Sequence, residues 1–279
     1  MNVQQYYRRS FGGIDFDLTD ESGWLHCWSL AKRIRTYEGD CMRIVRDSDS
    51  AELDIGWDDN FVFDKSAIAS FCAGTVGRIL KIYDQFGSVD LIGVGALPRI
   101  FESSQVLNFA KNNGDSGFEF DFTGNFDFSA IIQGKGRNYQ AIVNRGSGNT
   151  GIAFQLTTSR LQITYYGRTP SRNSLIFTNI HESQEDKFLG YWHRFNNDVS
   201  FSAAFGGSTT PGLQDLGTET LGYTQLVANS GKSRVFANVG TGSGAPITSY
   251  QDNCNLTDYY IFSENQILNS NIYAKRYIP

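Results

Sequence analysis

From about residue 117 the chain is a succession of short segments in which apolar and polar residues alternate, and this periodicity constrains the fold more than anything else in the sequence. Phe118-Glu-Phe-Asp-Phe alternates without a break, and Asn125-Phe-Asp-Phe-Ser-Ala-Ile-Ile does so over its first half. Tyr139-Gln-Ala-Ile-Val, Ile152-Ala-Phe-Gln-Leu, Leu161-Gln-Ile-Thr-Tyr-Tyr, Tyr191-Trp-His-Arg-Phe and Val199-Ser-Phe-Ser-Ala-Ala-Phe follow. A period of two puts one face of a strand into a core and the other out of it. Glycine-rich turns at Gly146-Ser-Gly, Gly206-Gly and Gly240-Thr-Gly-Ser-Gly punctuate the run. Short strands with turn signals at roughly 8–12-residue spacing predict an antiparallel β-sandwich over 117–279.

The preceding part reads as an elaboration of that sandwich over 23–116, after a polar, irregular arm at 1–22 that suits docking. Trp28-Ser-Leu-Ala-Lys-Arg-Ile-Arg predicts a short helix with Leu30, Ala31 and Ile34 on one face. Cys41-Met-Arg-Ile-Val-Arg, Glu52-Leu-Asp-Ile-Gly-Trp and Arg78-Ile-Leu-Lys-Ile-Tyr predict strands. Asp64 is placed to cap a helix over 65–71, which Gly74 can stop. Asp258-Tyr-Tyr-Ile-Phe predicts a last strand, followed by Ser263 as cap of a helix over Asn265–Tyr277.

Composition narrows the function classes. The 40% hydrophobic and 14% aromatic content supports a large core, and a net charge of −5 disfavours bulk attraction to nucleic acid. No apolar run approaches the roughly 18–20 residues that span a bilayer, and Met1-Asn-Val-Gln-Gln-Tyr-Tyr-Arg-Arg lacks the apolar stretch of a signal peptide. Folding in a cytoplasm is the expectation. Cys27, Cys41, Cys72 and Cys254 show no CxxC pair and no histidine at ligand spacing, which predicts buried thiols rather than a metal site.

Two blocks carry a family likeness. Trp28-Ser-Leu-Ala-Lys-Arg-Ile-Arg leads into Asp40-Cys-Met-Arg-Ile-Val-Arg-Asp-Ser-Asp-Ser-Ala-Glu-Leu-Asp-Ile-Gly-Trp, then Phe71-Cys-Ala-Gly-Thr, Lys81-Ile-Tyr-Asp-Gln-Phe-Gly and Pro98-Arg-Ile. This order resembles the N-terminal part of fungal α-L-arabinofuranosidase B catalytic domains, and a module of bacteriophage tail, fibre and other virion proteins. Residues 117–279 resemble LamG-like and concanavalin A-like sandwiches. The resemblance implies a mostly β, concanavalin A-like antiparallel jelly roll with a few short helices.

It does not carry the chemistry with it. A retaining glycosidase needs two carboxylates about 5 Å apart. The family's nucleophile lies in an Asp-Leu-Glu-Asn-Gly strand, matched here by Ile163-Thr-Tyr-Tyr-Gly with Tyr165 at the glutamate position. Its general acid lies in a Gly-Gly-Asp-Asn-Ser turn, matched by Gly240-Thr-Gly-Ser with Gly242 at the aspartate position. Independently of alignment, no Asp or Glu occurs between Asp127 and Glu182 or between Glu219 and Asp252. The family's Phe-Cys-Ala-Gly-Thr-Thr-Cys disulfide loop becomes Phe71-Cys-Ala-Gly-Thr-Val-Gly, with Gly77 at the second cysteine position. These departures imply a relative that kept the scaffold and is not an enzyme.

Other candidate chemistry is sparse. His26, His181 and His193 show no triad or metal spacing, and His193 alternates as a strand residue. Asp84 and Gln85 could touch a ligand, although capping a turn suits Asp84 better. Asp47, Asp49, Glu52 and Asp54 suggest calcium, yet their alternation fits a solvated strand edge better. Residues 128–181 hold six cations, Lys135, Arg137, Arg145, Arg160, Arg168 and Arg172, with Tyr139, Tyr165 and Tyr166 among them. This stretch is either an ordinary solvated face or a surface for an anionic glycan or acidic partner, with Arg145, Arg160, Tyr165 and Arg168 as its ligand residues.

The expectation is a non-enzymatic virion protein, a tail- or capsid-attached adhesin or decoration protein made in the host cytoplasm. Its partners would be other virion proteins and host-surface polysaccharide, as a homo-oligomer, with no cofactor, metal, nucleic acid or membrane insertion. Two alternatives stand beside it: a glycoside hydrolase of arabinofuranosidase type with unrecognised carboxylates, and a bacterial surface lectin.

Overall fold

The computed structural model describes residues 24–34, 36–87, 89–112 and 115–122, and beyond them the strands named below. The first part runs β1 (Trp24–Ser29), β2 (Met42–Arg46), β3 (Glu52–Ile55), α1 (Lys65–Phe71), β4 (Gly77–Ile82), β5 (Leu91–Gly95), β6 (Arg99–Glu102), β7 (Gln105–Lys111) and β8 (Ser116–Phe122). β2 pairs with both β3 and β4 and buries Met42 and Ile44 while Arg43 and Val45 stay partly open. In β4 the alternation skips a beat: Ile79 and Ile82 are both buried because Leu80 is an extra residue at a register shift against β2. α1 starts where the Asp64 carboxylate accepts from the amides of Ser66 (2.9 Å) and Ala67 (3.0 Å). Gly74 follows it with φ +80°.

The second part runs β9 (Phe128–Lys135), β10 (Tyr139–Gly146), β11 (Thr150–Leu156), β12 (Arg160–Tyr166), β13 (Arg172–Thr178), β14 (Lys187–Phe195), β15 (Asp198–Phe205), β16 (Gln214–Thr220), β17 (Gly231–Val235), β18 (Ala237–Val239), β19 (Ile247–Tyr250) and β20 (Asn255–Phe262). Every pairing among these described strands is antiparallel. One layer follows the path β13-β12-β11-β10-β17-β8-β5. The other follows β16-β15-β14-β9-β20-β1. β18 and β19 form a separate hairpin.

Register gives the first layer two faces of opposite character. Leu175, Ile163, Phe154, Ala141, Val235, Phe118 and Gly93 are successive cross-strand partners, apolar from end to end. The row one residue along reads Ser174, Thr164, Ala153, Ile142, Arg234, Glu119 and Ile92. Val235 and Phe118 are fully buried, whereas in the second row Arg234 is 7% and Ile92 40% exposed, so at β17 and β8 the first row is the one that meets the core. The two layers meet where Phe120 of β8 packs on Trp28 of β1 (ring centroids 4.5 Å) and Tyr259 of β20 (5.7 Å).

One element differs from expectation. The segment expected to be helical from Trp28 instead finishes strand β1, with Trp28 opposite Tyr259 and Ser29 opposite Asp258. Distant groups take the backbone partners that a helix would have used. The Gln85 side chain serves residues 29–34, the Lys32 amide donates to the Phe61 carbonyl (2.7 Å), and the Phe63 amide donates to the Leu30 carbonyl (3.1 Å). The arm at 1–22, Ser263 and the helix expected over Asn265–Tyr277 lie outside the described residues.

Candidate functional site

The turn after β4 is built inward. Asp84 and Gln85 are only 5% and 3% exposed. Asp84 Oδ2 accepts from His26 Nδ1 (2.7 Å), while Oδ1 accepts from the amides of Cys27 (2.8 Å) and Phe86 (3.1 Å). Both carboxylate oxygens of this candidate ligand residue are thus engaged with β1 and with the turn itself. Gln85 Oε1 accepts from the amides of Arg33 (2.7 Å) and Ile34 (3.3 Å), and its Nε2 donates to the carbonyls of Ala31 (2.8 Å) and Ser29 (3.3 Å). A Cβ on Gly87 would come within 2.5 Å of Asp84 Oδ2 and 2.8 Å of the Leu25 carbonyl, so the turn closes only on glycine.

The acidic run at 47–54 meets arginines. Arg78 grips Asp47 (2.7 and 2.9 Å), Arg46 grips Asp49 (2.8 and 2.7 Å), and Arg43 grips Asp54 (2.8 and 2.6 Å) through two bonds each. Arg43 also lies 3.8 Å from Glu52, and the Tyr83 hydroxyl donates to Asp54 Oδ1 (2.5 Å). The Arg43 hydrogen bonds hold Asp54 down to about 2, and those of Arg46 do the same for Asp49. Burial, and then the bond to Asp54, push Tyr83 up to about 12. The oxygens that a calcium ion would need face guanidinium groups instead. No group of three metal-ligating side chains comes together among the described residues.

Three of the four remaining candidate ligand residues lie on the first layer. Arg145 sits in β10 at the register shift between Val143 and Gly146. Arg160 opens β12 opposite Thr178, and Tyr165 lies near its end between Ile152 and Asn173. Arg168 lies outside the described residues. The odd offset between Arg160 and Tyr165 assigns them to opposite faces of the sheet. Tyr165 shares a face with Ile163, in the row of buried Val235 and Phe118, whereas Arg160 belongs to the face of Arg234 and Glu119.

The pairing also turns a gap in the sequence into a region of the sheet. β17, β10, β11, β12 and β13 are adjacent, and none carries an Asp or Glu. They carry Lys232, Arg234, Arg145, Arg160 and Arg172. The first carboxylates met along the layer are Glu119 and Asp121 of β8, where Glu119 Oε2 accepts from Arg234 Nε (3.4 Å).

In fold, the chain resembles a GH54 α-L-arabinofuranosidase. A mutant of that enzyme soaked with 4-nitrophenyl α-L-arabinofuranoside superposes with a TM-score of 0.65 at 15% identity, covering 91% of this chain and 63% of that one. The enzyme soaked with a cyclic sulfate inhibitor gives 0.64 at 14%, with the same coverage. An arabinofuranosidase complexed with arabinofuranosyl-α-1,2-xylobiose gives 0.61 at 13%, again over 91% and 63%. The chain therefore spans less than two thirds of the length of these enzymes. No protein-family model matches the sequence, and no curated protein does.

The cysteine loop after α1 is positioned to test this likeness. Cys72 is buried, carries a thiol and has its pKa raised by burial to about 11. A Cβ built on Gly77 would lie 3.6 Å from Cys72 Cβ, inside the 3.5–4.5 Å range of disulfides, and 2.5 Å from its Sγ. Gly77→Cys is expected to form a Cys72 bridge under oxidant and to gain about 2 kcal/mol by closing a short loop. Reduced, the same variant should be less stable than the parent, because the new side chain crowds Cys72 and Phe101 Cβ (3.1 Å). Thiol titration and melting with and without reductant check both signs; a melting point indifferent to reductant would refute the placement.

Proposed function

We propose that the chain is a non-catalytic, glycan-binding β-sandwich that serves as an attached adhesin or decoration protein of a virus particle. The observation that carries the non-catalytic part is the block of five adjacent strands without a carboxylate, within a fold otherwise like that of a glycosidase. Protonating a leaving group and attacking an anomeric carbon both fall to carboxylates in such enzymes. A sheet of arginines, glutamines and hydroxyl residues binds sugars without cleaving them. What supports the virion context is the order of motifs from Trp28 to Ile100, which resembles a module of phage tail and fibre proteins. In that setting the partners are neighbouring virion subunits and host-surface polysaccharide.

Two experiments separate this reading from its rivals. Incubation with a panel of aryl furanosides and pyranosides should release no nitrophenol above buffer. Turnover that disappears when one Asp or Glu is changed would replace the proposal with a glycosidase using carboxylates outside these strands. Genes for portal, capsid or tail proteins beside this one would agree with the particle reading, whereas a secretion operon would favour a bacterial surface lectin.

A further inference from the structure

We infer that the face of the first layer opposite the core, across β10 to β13, binds an acidic polysaccharide, with the cross-strand pair Tyr166 and Arg172 at one end and Arg160 at the other. The inference rests on the glycan-binding reading above and adds the ligand class and the residues. On this face Gln140, Gln155 and Gln162 are successive cross-strand partners, an unbroken line of amides over three strands. Ile176 extends that line on β13; two residues along, Ile142, Ala153, Thr164 and Ser174 form the next row, and then Gly151, Tyr166 and Arg172 the third. Arg160, opposite Thr178, lies on the far side of the amide line. Arg160 and Tyr166 stand six positions apart in one strand, about 20 Å at the usual rise.

Each residue type suits part of a sugar chain. Amides and hydroxyls exchange hydrogen bonds with ring hydroxyls, an aromatic ring covers the apolar face of a sugar, and guanidinium forks take carboxylate or sulfate oxygens in pairs. Ala153 and Gly151 are the smallest residues of the face and run down its middle strand. The charge argues for an acidic ligand. A chain with net charge −5 repels polyanions in bulk, yet β10 to β13 and their neighbour β17 contain no acidic residue to oppose one. Arg160 and Tyr166 share this face, whereas Tyr165 does not.

Affinity electrophoresis of the full chain through gels containing polygalacturonate, dextran sulfate or neutral dextran tests the site. The wild type should be retarded by one or both polyanions and released by added salt. Arg172→Glu and Tyr166→Ala should each weaken retardation at least about tenfold. Lys65→Glu, the same charge change on α1, should leave it unaltered. Gln155→Glu, nearly isosteric and placed mid-face, should act like Arg172→Glu and serves if either first variant fails to fold. Equal losses from Lys65→Glu and Arg172→Glu, or full retardation of folded Arg172→Glu and Gln155→Glu, would overturn the site. Retardation by dextran alone would overturn the acidic ligand while leaving glycan binding intact, and no retardation by any polymer would remove the broader reading as well.

Discussion

Gln85→Leu should lower the unfolding free energy by about 4 kcal/mol, one of the two largest single-residue effects expected in this protein. The substitution keeps the volume and removes four hydrogen bonds at once. It removes the Gln85 bonds to the amides of Arg33 and Ile34 and to the carbonyls of Ser29 and Ala31, with Cys41 Sγ (3.6 Å) still on the Ser29 carbonyl. Each buried backbone group left unsatisfied costs roughly 1–3 kcal/mol, with partial relief as the loop relaxes. Gln85→Glu gives a sharper diagnosis. Its carboxylate still accepts from Arg33 and Ile34, but its second oxygen meets two carbonyls that require a donor. The folded state should therefore raise this glutamate's pKa above its unfolded value. Destabilisation relative to the parent should be full at neutral pH and diminish as pH falls through the folded pKa. Urea midpoints across the acid range would check this, and a pH-independent difference would argue against the arrangement.

Trp28→Ala should cost about 3–5 kcal/mol. The indole is 1% exposed, stacks with the His26 ring (4.9 Å, 12° between planes) and touches Phe120 and Tyr259, which belong to different layers. Its Nε1 donates to the Val89 carbonyl (2.8 Å), tying in the segment before β5. Trp28→Phe should lose mainly that hydrogen bond and some volume, for about 1–2 kcal/mol. Denaturant titrations with unchanged slope would measure both. A cost below about 1 kcal/mol for the alanine variant would mean that β1 does not close the sandwich as described.

These two residues also mark where the sequence could not be read locally. Strands β2, β8, β11 and β12 were legible because apolar residues recur at alternate positions along them, and β4 was legible despite the extra residue at Leu80. Helix α1 was legible because its signals lie within it: Asp64 before, Gly74 after. β1 was not, since Cys27, Trp28, Ser29 and Leu30 are all buried and consecutive burial erases the alternation. The groups that keep residues 29–34 out of a helix come from Gln85, Phe61 and Phe63, too far along the chain for a periodicity argument to weigh. The hairpin of β6 and β7 escaped for a similar reason. Ile100 and Phe101 are adjacent and both buried, and the turn is made by Ser103 and Ser104 at φ +50° and +64° rather than by Asn-Gly.

At the candidate site, the charge asymmetry was present in the sequence, and the offset between Arg160 and Tyr165 could have been counted there. What the sequence lacked was the reference side. The pairing of β10 with β17 and of β17 with β8 connects these strands to buried Val235 and Phe118, and so tells the core face from the other there. The carboxylate run at 47–54 shows the same limit: two of its arginine partners, Arg43 and Arg46, are near in sequence, but Arg78 comes from β4.

The pairing of β1 with β20 bears on how the chain is made. β20 lies between β1 and β9, so β1 waits for it, and β9 has β14 on one side but not β20 on the other, until residues 255–262 leave the ribosome. At roughly 5–20 residues per second, that interval is on the order of ten seconds or more. Throughout it, Trp28 lacks Tyr259, and two strands present open edges that can pair with another nascent chain. Closing so long a loop is also slow, because its entropy is lost before any contact compensates. Synthesis rate, temperature and chaperone supply should therefore govern soluble yield more than the stability of the finished sandwich does, and chains interrupted before Asn255 should accumulate as aggregate.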